Sequence, residues 1–402
     1  MSTGKMKMPA SSIRATISKA FNRVLYYVPL VASLLLALIV ASALLLALGV
    51  NPLDAFSSML QGAFGNENAT AETLVKAVPI LLVGIGICIA FRGGVINIGG
   101  EGQMIIGALA GTTTALALAS LPGPIIIFAS LSTGFIAGAL YGGLAGFLKA
   151  YFGVNEILST IMLNQIAAQT MNYLLNGPLL DPAVAGSNNI PKTARIVERA
   201  ELPRLSISLL GGDPIFDKTR LHYGLVLAIL LAVVIYVLLW HTTIGYRIRA
   251  VGQNERAARY AGINVRRQMT LSMFLAGGFA GLAGVIQVLG LQYRLQTDGS
   301  PAGFTGGAGF NGIVAALFGN LNPLGAIPAS VFFGGLLVGA QKMQRDLGVS
   351  ASLITAINGL IVVFVVSSQI FTRRLARRQM IRETPPAETP HPTPTAHLET
   401  GS

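Results

Sequence analysis

The feature that most limits this chain is its set of long runs without a charged residue. They extend from Val24 to Leu53, Ala77 to Phe91, Gly102 to Leu148, Ile157 to Leu180, Leu221 to Tyr246, Gln268 to Tyr293, Gly299 to Gln341 and Leu347 to Thr372. A helix needs about 20 mostly apolar residues to cross a hydrocarbon layer about 30 Å thick, so these runs predict transmembrane helices. The Ala77 run reaches back to Glu72 if Lys76 lays its stem in the apolar layer and its ammonium at the edge. Two runs are long enough for two crossings each. Leu121-Pro122-Gly123-Pro124 divides one, and Gly319-Asn320-Leu321-Asn322-Pro323 divides the other, both strong turn signals. Ten spans are expected in an all-α polytopic membrane protein. Composition agrees: only 11% of residues are charged, against about 25% in soluble domains.

The first run exceeds the 7 to 15 apolar residues of a signal peptide and lacks an evident cleavage site, so it reads as a retained span. The single cysteine, Cys88, lies inside a run, which leaves no disulfide framework or thiolate metal site. With a cytoplasmic N-terminus, ten spans bring the C-terminus back to the cytoplasm. Most Lys and Arg then fall inside, as the positive-inside rule expects. The exception is 176–220, with six Lys or Arg residues, read as an external cap rich in Pro, Gly and Asn. The divisions are a cytoplasmic segment 1–27, a transmembrane domain 28–372 and a basic, then disordered tail 373–402. Inner-leaflet phosphates account for the net charge of +12 without nucleic acid.

The largest cytoplasmic loop, 241–268, reads HTTIGYRIRAVGQNERAARYAGINVRRQ. Asn254 to Tyr260 has helix-forming composition: Glu255 stands in the first turn, Arg256 and Arg259 follow, and Gly262 supplies a stop. A solvated basic loop explains the arginines. Ala257, Ala258, Tyr260, Ala261, Gly262 and Ile263 instead form a small-residue surface with one aromatic knob, suited to a partner's groove.

Together with FRGGVINIGGEGQMIIG (91–107), GVNEILSTIMLN (153–164) and GFNGIVAALFGNLNPLGA (309–326), the loop resembles permease subunits of binding-protein-dependent ABC importers. The branch is the nucleoside and simple-sugar one of the branched-chain amino acid/ribose permeases. The resemblance implies a type II importer permease with two inverted-repeat halves, spans two to five paired with seven to ten. It also implies a second permease subunit, identical or paralogous, an extracytoplasmic binding protein and a cytoplasmic ATPase that carries ATP and Mg. The setting implied is a bacterial inner membrane, with no cofactor on this chain. Residues 254–260 and Gly262 would then meet the ATPase. Two departures stand out. Glu255-Arg256 replaces a common Pro-Glu, which displaces the acid by one residue, and Asn311 replaces a common Asp.

The chain echoes itself: Phe91-x-Gly93-Gly94 precedes the third span and Phe304-x-Gly306-Gly307 the eighth, each followed within seven residues by Asn97 or Asn311. In the ten-span arrangement these have opposite orientation, as in inverted-repeat transporters that bind substrate near the midplane. Polar residues at membrane depth are costly and mark candidate sites. They are Asn97, Glu101, Gln103, Asn155, Glu156, Asn164, Gln165, Gln169, Gln287, Asn311 and Asn358. Asn97, Glu101, Gln103, Asn164, Gln287 and Asn311 are the substrate-path candidates. Helix-to-helix hydrogen bonding, worth about 0.6 to 2 kcal/mol, is the alternative for each amide. Glu101 either pairs with Arg92 or contacts substrate, and Glu156, beside Asn155, suits capping or coupling.

Gly94 and Gly99 have phosphate-loop spacing, but Gly100-Glu101 stands where Lys-Ser or Lys-Thr is required. No nucleophile, base and orienting acid assemble, so an enzyme is not expected. A permease for nucleosides is the leading expectation, with ribose, other simple sugars or branched-chain amino acids as alternatives. An ion-coupled secondary transporter would need buried Asp or His relays, and the spans offer essentially Glu101 alone.

Overall fold

A computed structural model describes residues 32, 35–47, 49–184, 190–206, 216–350, 356, 359–360 and 363–364. Segment 1–27, the tail 373–402, Asn358, most of the last run and parts of 176–220 lie outside them. The chain divides into two units, residues 1–39 with 363–402, and residues 40–362. The described residues of the first are helical, and α1 (Leu35–Ala47) contains the sequence boundary.

In the second unit the described residues form helices, turns and two isolated β-bridges. The helices are α2 (Pro52–Phe64), α3 (Glu67–Arg92), α4 (Gly100–Ala117), α5 (Gly123–Phe152), α6 (Glu156–Asn176) and α7 (Gly224–His241). They continue with α8 (Thr243–Gln253), α9 (Glu255–Tyr260), α10 (Val265–Gln287), α11 (Pro301–Thr305), α12 (Ala308–Phe318) and α13 (Pro323–Leu347). Among the described residues five helices are long and apolar enough to cross a membrane: α3, α5, α7, α13, and α10 with the π-turn that extends it to Gln292. Both expected turns occur, between α4 and α5 and between α12 and α13. Asparagines set many starts: Asn66, Asn155, Asn254, Asn264 and Asn322 each accept a first-turn N–H. α2 departs from the expected run to Leu53, because Asn51 caps and Pro52 opens a separate helix there.

Burial separates centre from rim. In α3 and α10 the apolar windows are 78% buried, against 33% in α5 and 28% in α7. α3 is apolar all round, packs against α7, α10, α12 and α13, and encloses Cys88 completely. A helix apolar on every face suits such a centre. α5 and α10 cross with their backbones almost touching. A Cβ on Gly138 would lie 2.4 Å from the Gly277 carbonyl oxygen, and one on Gly277 2.2 Å from that of Gly138. Only glycine permits this approach, and it is how helices gain contact where burial from water offers no drive.

Residues 190–206 lie over the end of α10. The N–H groups of Thr193, Ile196 and Leu202 donate to the carbonyls of Leu295, Tyr293 and Leu289. An Arg195–Glu201 ion pair at 2.8 Å stiffens this segment, and Arg220–Glu72 at 2.7 Å ties the residues before α7 to the start of α3.

Candidate functional site

Two breaks in the helical framework organise the site. α3 ends at Arg92 because Gly93 and Gly94, the latter at φ +78°, turn the chain away, and helix resumes only at Gly100. Backbone groups freed at membrane depth need protein partners. Asn97 Oδ1 accepts from the Gly99 N–H at 2.9 Å and from Gln103 Nε2 at 3.0 Å, while Asn97 Nδ2 donates to Gln103 Oε1 at 3.0 Å. From α6, Asn164 Oδ1 accepts the Gly102 N–H at 2.8 Å, and its Nδ2 donates to the Ile98 carbonyl at 2.9 Å. All three amides are buried, so their hydrogen bonds replace the helical ones that the break removes.

The second break is shorter. α11 ends at Thr305, and Gly306 (φ +61°) and Gly307 (φ +76°) lead directly into α12. Gln287 Nε2 donates to the Phe304 carbonyl at 2.5 Å, and Asn311 Nδ2 to that of Gly307 at 3.0 Å. Gln287 also lines a cavity of about 20 Å³ with Lys76, His222 and Thr305, room for about one water molecule. Outside the helices, Asp298 accepts from both the Ser300 N–H and its hydroxyl at 2.9 Å, which holds this carboxyl below the usual carboxylate range.

The helices that follow the two breaks meet at their N-termini. Glu101, second residue of α4 and 2% exposed, accepts the Phe310 N–H of α12 through Oε1 at 3.2 Å. A Cβ on Gly309 would lie 2.6 Å from the Glu101 nitrogen, and one on Gly100 3.2 Å from the Gly309 Cα. The Glu101 carboxyl is thus held between two helix starts. Its Oε2 has no hydrogen-bond partner. Arg92 is not paired with Glu101: it donates to the Leu321 carbonyl at 3.2 Å and that of Asn320 at 3.1 Å, with its guanidinium 5.3 Å from the Trp240 ring centroid. Each sequence echo therefore marks a break. The contact between the helices beyond them escapes the sequence, because its acceptor is Glu101 but its donor is a backbone N–H.

The loop builds a third component. α9 is capped by Asn254, whose Oδ1 accepts the Ala257 N–H at 3.0 Å, and is followed by Gly262 at φ +77°. Glu255, Arg256, Ala257, Arg259 and Tyr260 are exposed, Tyr260 at 94%. Ala258 faces inward and joins Val95, Val251, Val265 and Met269 in one apolar cluster. Val95 belongs to the first break, so the loop packs on it directly. Closer still, a Cβ on Gly252 would lie 2.0 Å from the Arg92 carbonyl oxygen and 2.8 Å from the Gly94 nitrogen. Nothing in the sequence marks Gly252 as this seat. Lys149–Glu156 at 2.8 Å joins the ends of α5 and α6, and Asn155 caps the Ile157 N–H. Among the described residues no group of three or more His, Cys, Asp or Glu is placed to hold a metal ion.

A family described as branched-chain amino acid transport system / permease component matches residues 69–366. The chain belongs to this permease family. The permease is 36% identical to a glucose ABC transporter permease of Haloferax volcanii over 344 residues, covering 85% of this chain and 88% of the relative. It is 36% identical to a guanosine ABC transporter permease of Bacillus subtilis over 85% of this chain and 93% of the relative. A nucleoside ABC transporter permease of Lactococcus lactis is 29% identical over 88% and 94% of the two chains. No solved structure gives a significant match. The family and the apolar helices make this permease a multi-pass membrane protein, a transport subunit rather than an enzyme.

Proposed function

We propose that this permease forms the translocation path for nucleosides in an ATP-driven importer of a bacterial inner membrane. The observation that carries the reading is the meeting of two broken helices at Glu101 and Phe310, with α8 seated on the first break through Gly252. In this reading α9 docks on a separate ATPase that binds ATP with Mg. Closure of the ATPase pushes α8 against Arg92 and Gly94, and the two helix starts separate or close around the substrate. Asn97, Glu101, Gln103, Asn164, Gln287 and Asn311 border that path, and the Glu101 Oε2 is the acceptor left for a substrate N–H or O–H. Ten spans in two inverted halves, both termini cytoplasmic, a second permease subunit and an extracytoplasmic binding protein complete the assembly.

Nucleosides are supported by the Bacillus and Lactococcus relatives. The Haloferax relative, equally similar, favours a second reading in which the cargo is a simple sugar. Uptake of labelled guanosine, uridine and glucose by cells with the complete system separates the two. Accumulation by this chain without an ATPase would overturn the ATP-driven reading, as would uptake that stops when the ion gradient collapses while ATP persists. A cysteine in place of Tyr260 should crosslink to the ATPase. No crosslink at any position from 254 to 262 would remove the coupling role.

A further inference from the structure

α7 presents a stripe of exposed apolar side chains at helical spacing, Val226, Leu230, Val233 and Val237. The same spacing leads to Trp240, half-buried at the end of the helix and stacked on Tyr236 at 5.1 Å between centroids. α8 then begins, and its Arg249 brings its guanidinium 5.8 Å from the centroid of the Trp240 ring. Arg249 is half-buried, so part of its side chain reaches the surface beside Trp240. Arg92 adds a second guanidinium over the same ring, and Tyr246 and Arg247 of α8 are exposed.

An apolar stripe that ends in an interfacial tryptophan beside a half-exposed guanidinium has the layout of one lipid molecule. We propose that Arg249 and Trp240 bind the phosphate of an anionic phospholipid, with an acyl chain lying along the Val226 to Val237 stripe. The half-exposed guanidinium of Arg249 is the cation best shaped for a phosphodiester. Trp240 sits where aromatic side chains mark the edge of the hydrocarbon layer. Charge complementarity selects the lipid: its anionic headgroup meets the half-exposed Arg249 guanidinium where the apolar stripe ends. The site rests on α7 spanning the bilayer, not on which cargo the permease carries.

The test is native mass spectrometry of the full chain from mixed phosphatidylglycerol and phosphatidylcholine. Thermal melting is followed in parallel with each lipid and with soluble glycerol phosphate. Wild type should retain phosphatidylglycerol selectively and melt higher with it. Arg249→Gln should retain about five-fold less, as expected for one arginine near a charged surface. Arg249→Lys should lie between, and Arg267→Ala, which removes another exposed charge, should behave as wild type. Equal retention by Arg249→Gln overturns the proposal, and so does an Arg267→Ala loss as large as that of Arg249→Gln, which would mean bulk charge alone. A melting shift of the same size with glycerol phosphate overturns the lipid source. Intact lipid retention with loss of ATPase co-purification in Arg249→Gln would make the patch a protein-docking surface instead.

Discussion

The two breaks solve the same problem by different means. Residues 93–99 separate α3 from α4, and the buried amides of Asn97, within the break, and Asn164, on α6, satisfy the backbone there, with Gln103 of α4 holding Asn97. Only Gly306 and Gly307 separate α11 from α12, both at positive φ, and a Cβ on Gly306 would meet nothing within 4 Å. The first is clamped by amides of α4 and α6 across a seven-residue gap, whereas the second turns on two glycines, with Gln287 and Asn311 on the flanking carbonyls. The second break has the more adaptable backbone, so a change in the angle between α11 and α12 is expected to meet less resistance than one between α3 and α4.

The clamp is the place to attack first. Asn164→Leu leaves the buried Gly102 N–H and Ile98 carbonyl without partners, each costing about 1–3 kcal/mol. Uptake should be abolished and the melting midpoint in detergent lowered by several degrees. Next comes Gly252→Ala, whose Cβ would crowd the Arg92 carbonyl at 2.0 Å and cost about 1–3 kcal/mol of overpacking. Here uptake should fall while ATP hydrolysis by the assembled complex persists; parallel loss of both activities would mean that the seat holds the fold rather than transmits motion. Gly306→Ala meets no clash and carries only left-handed backbone strain of about 1–2 kcal/mol, visible as slower uptake with a small melting shift. Asn311→Ala should cost least, under about 1 kcal/mol, because its amide bonds only its own helix start. If Asn311→Ala or Gly306→Ala lowers the midpoint as much as Asn164→Leu, the contrast between the breaks is wrong.

Much of this framework is written in one dimension. Uncharged runs and Pro- and Gly-rich turns place α3 to α7, α10, α12 and α13, since excluding charge from the bilayer needs no partner to be known. The glycines at 138, 142, 277 and 281 likewise signal close packing through their spacing. α2 is less legible, because Asn51-Pro52 falls inside a run that composition alone treats as continuous. The site is legible only in part. Asn97 and Gln103 are six residues apart and share no helical face, so their pairing depends on the break between them. Glu101 invites an ion pair with Arg92 by charge, yet Glu101 accepts from a backbone N–H and Arg92 donates to backbone carbonyls, groups that carry no residue signature. Gly252 shows the same limit: a sequence displays the missing side chain but not the carbonyl that requires its absence.

Cys88 carries a practical consequence. It is the single cysteine of the chain and is enclosed on every side within α3, out of reach of aqueous thiol reagents. The native protein is thus already a silent background for site-directed labelling. Thiol probes introduced at exposed Phe310 and Tyr260 would report spectroscopically on the α12 start and the α9 loop through a turnover cycle, with no prior engineering of the native thiol.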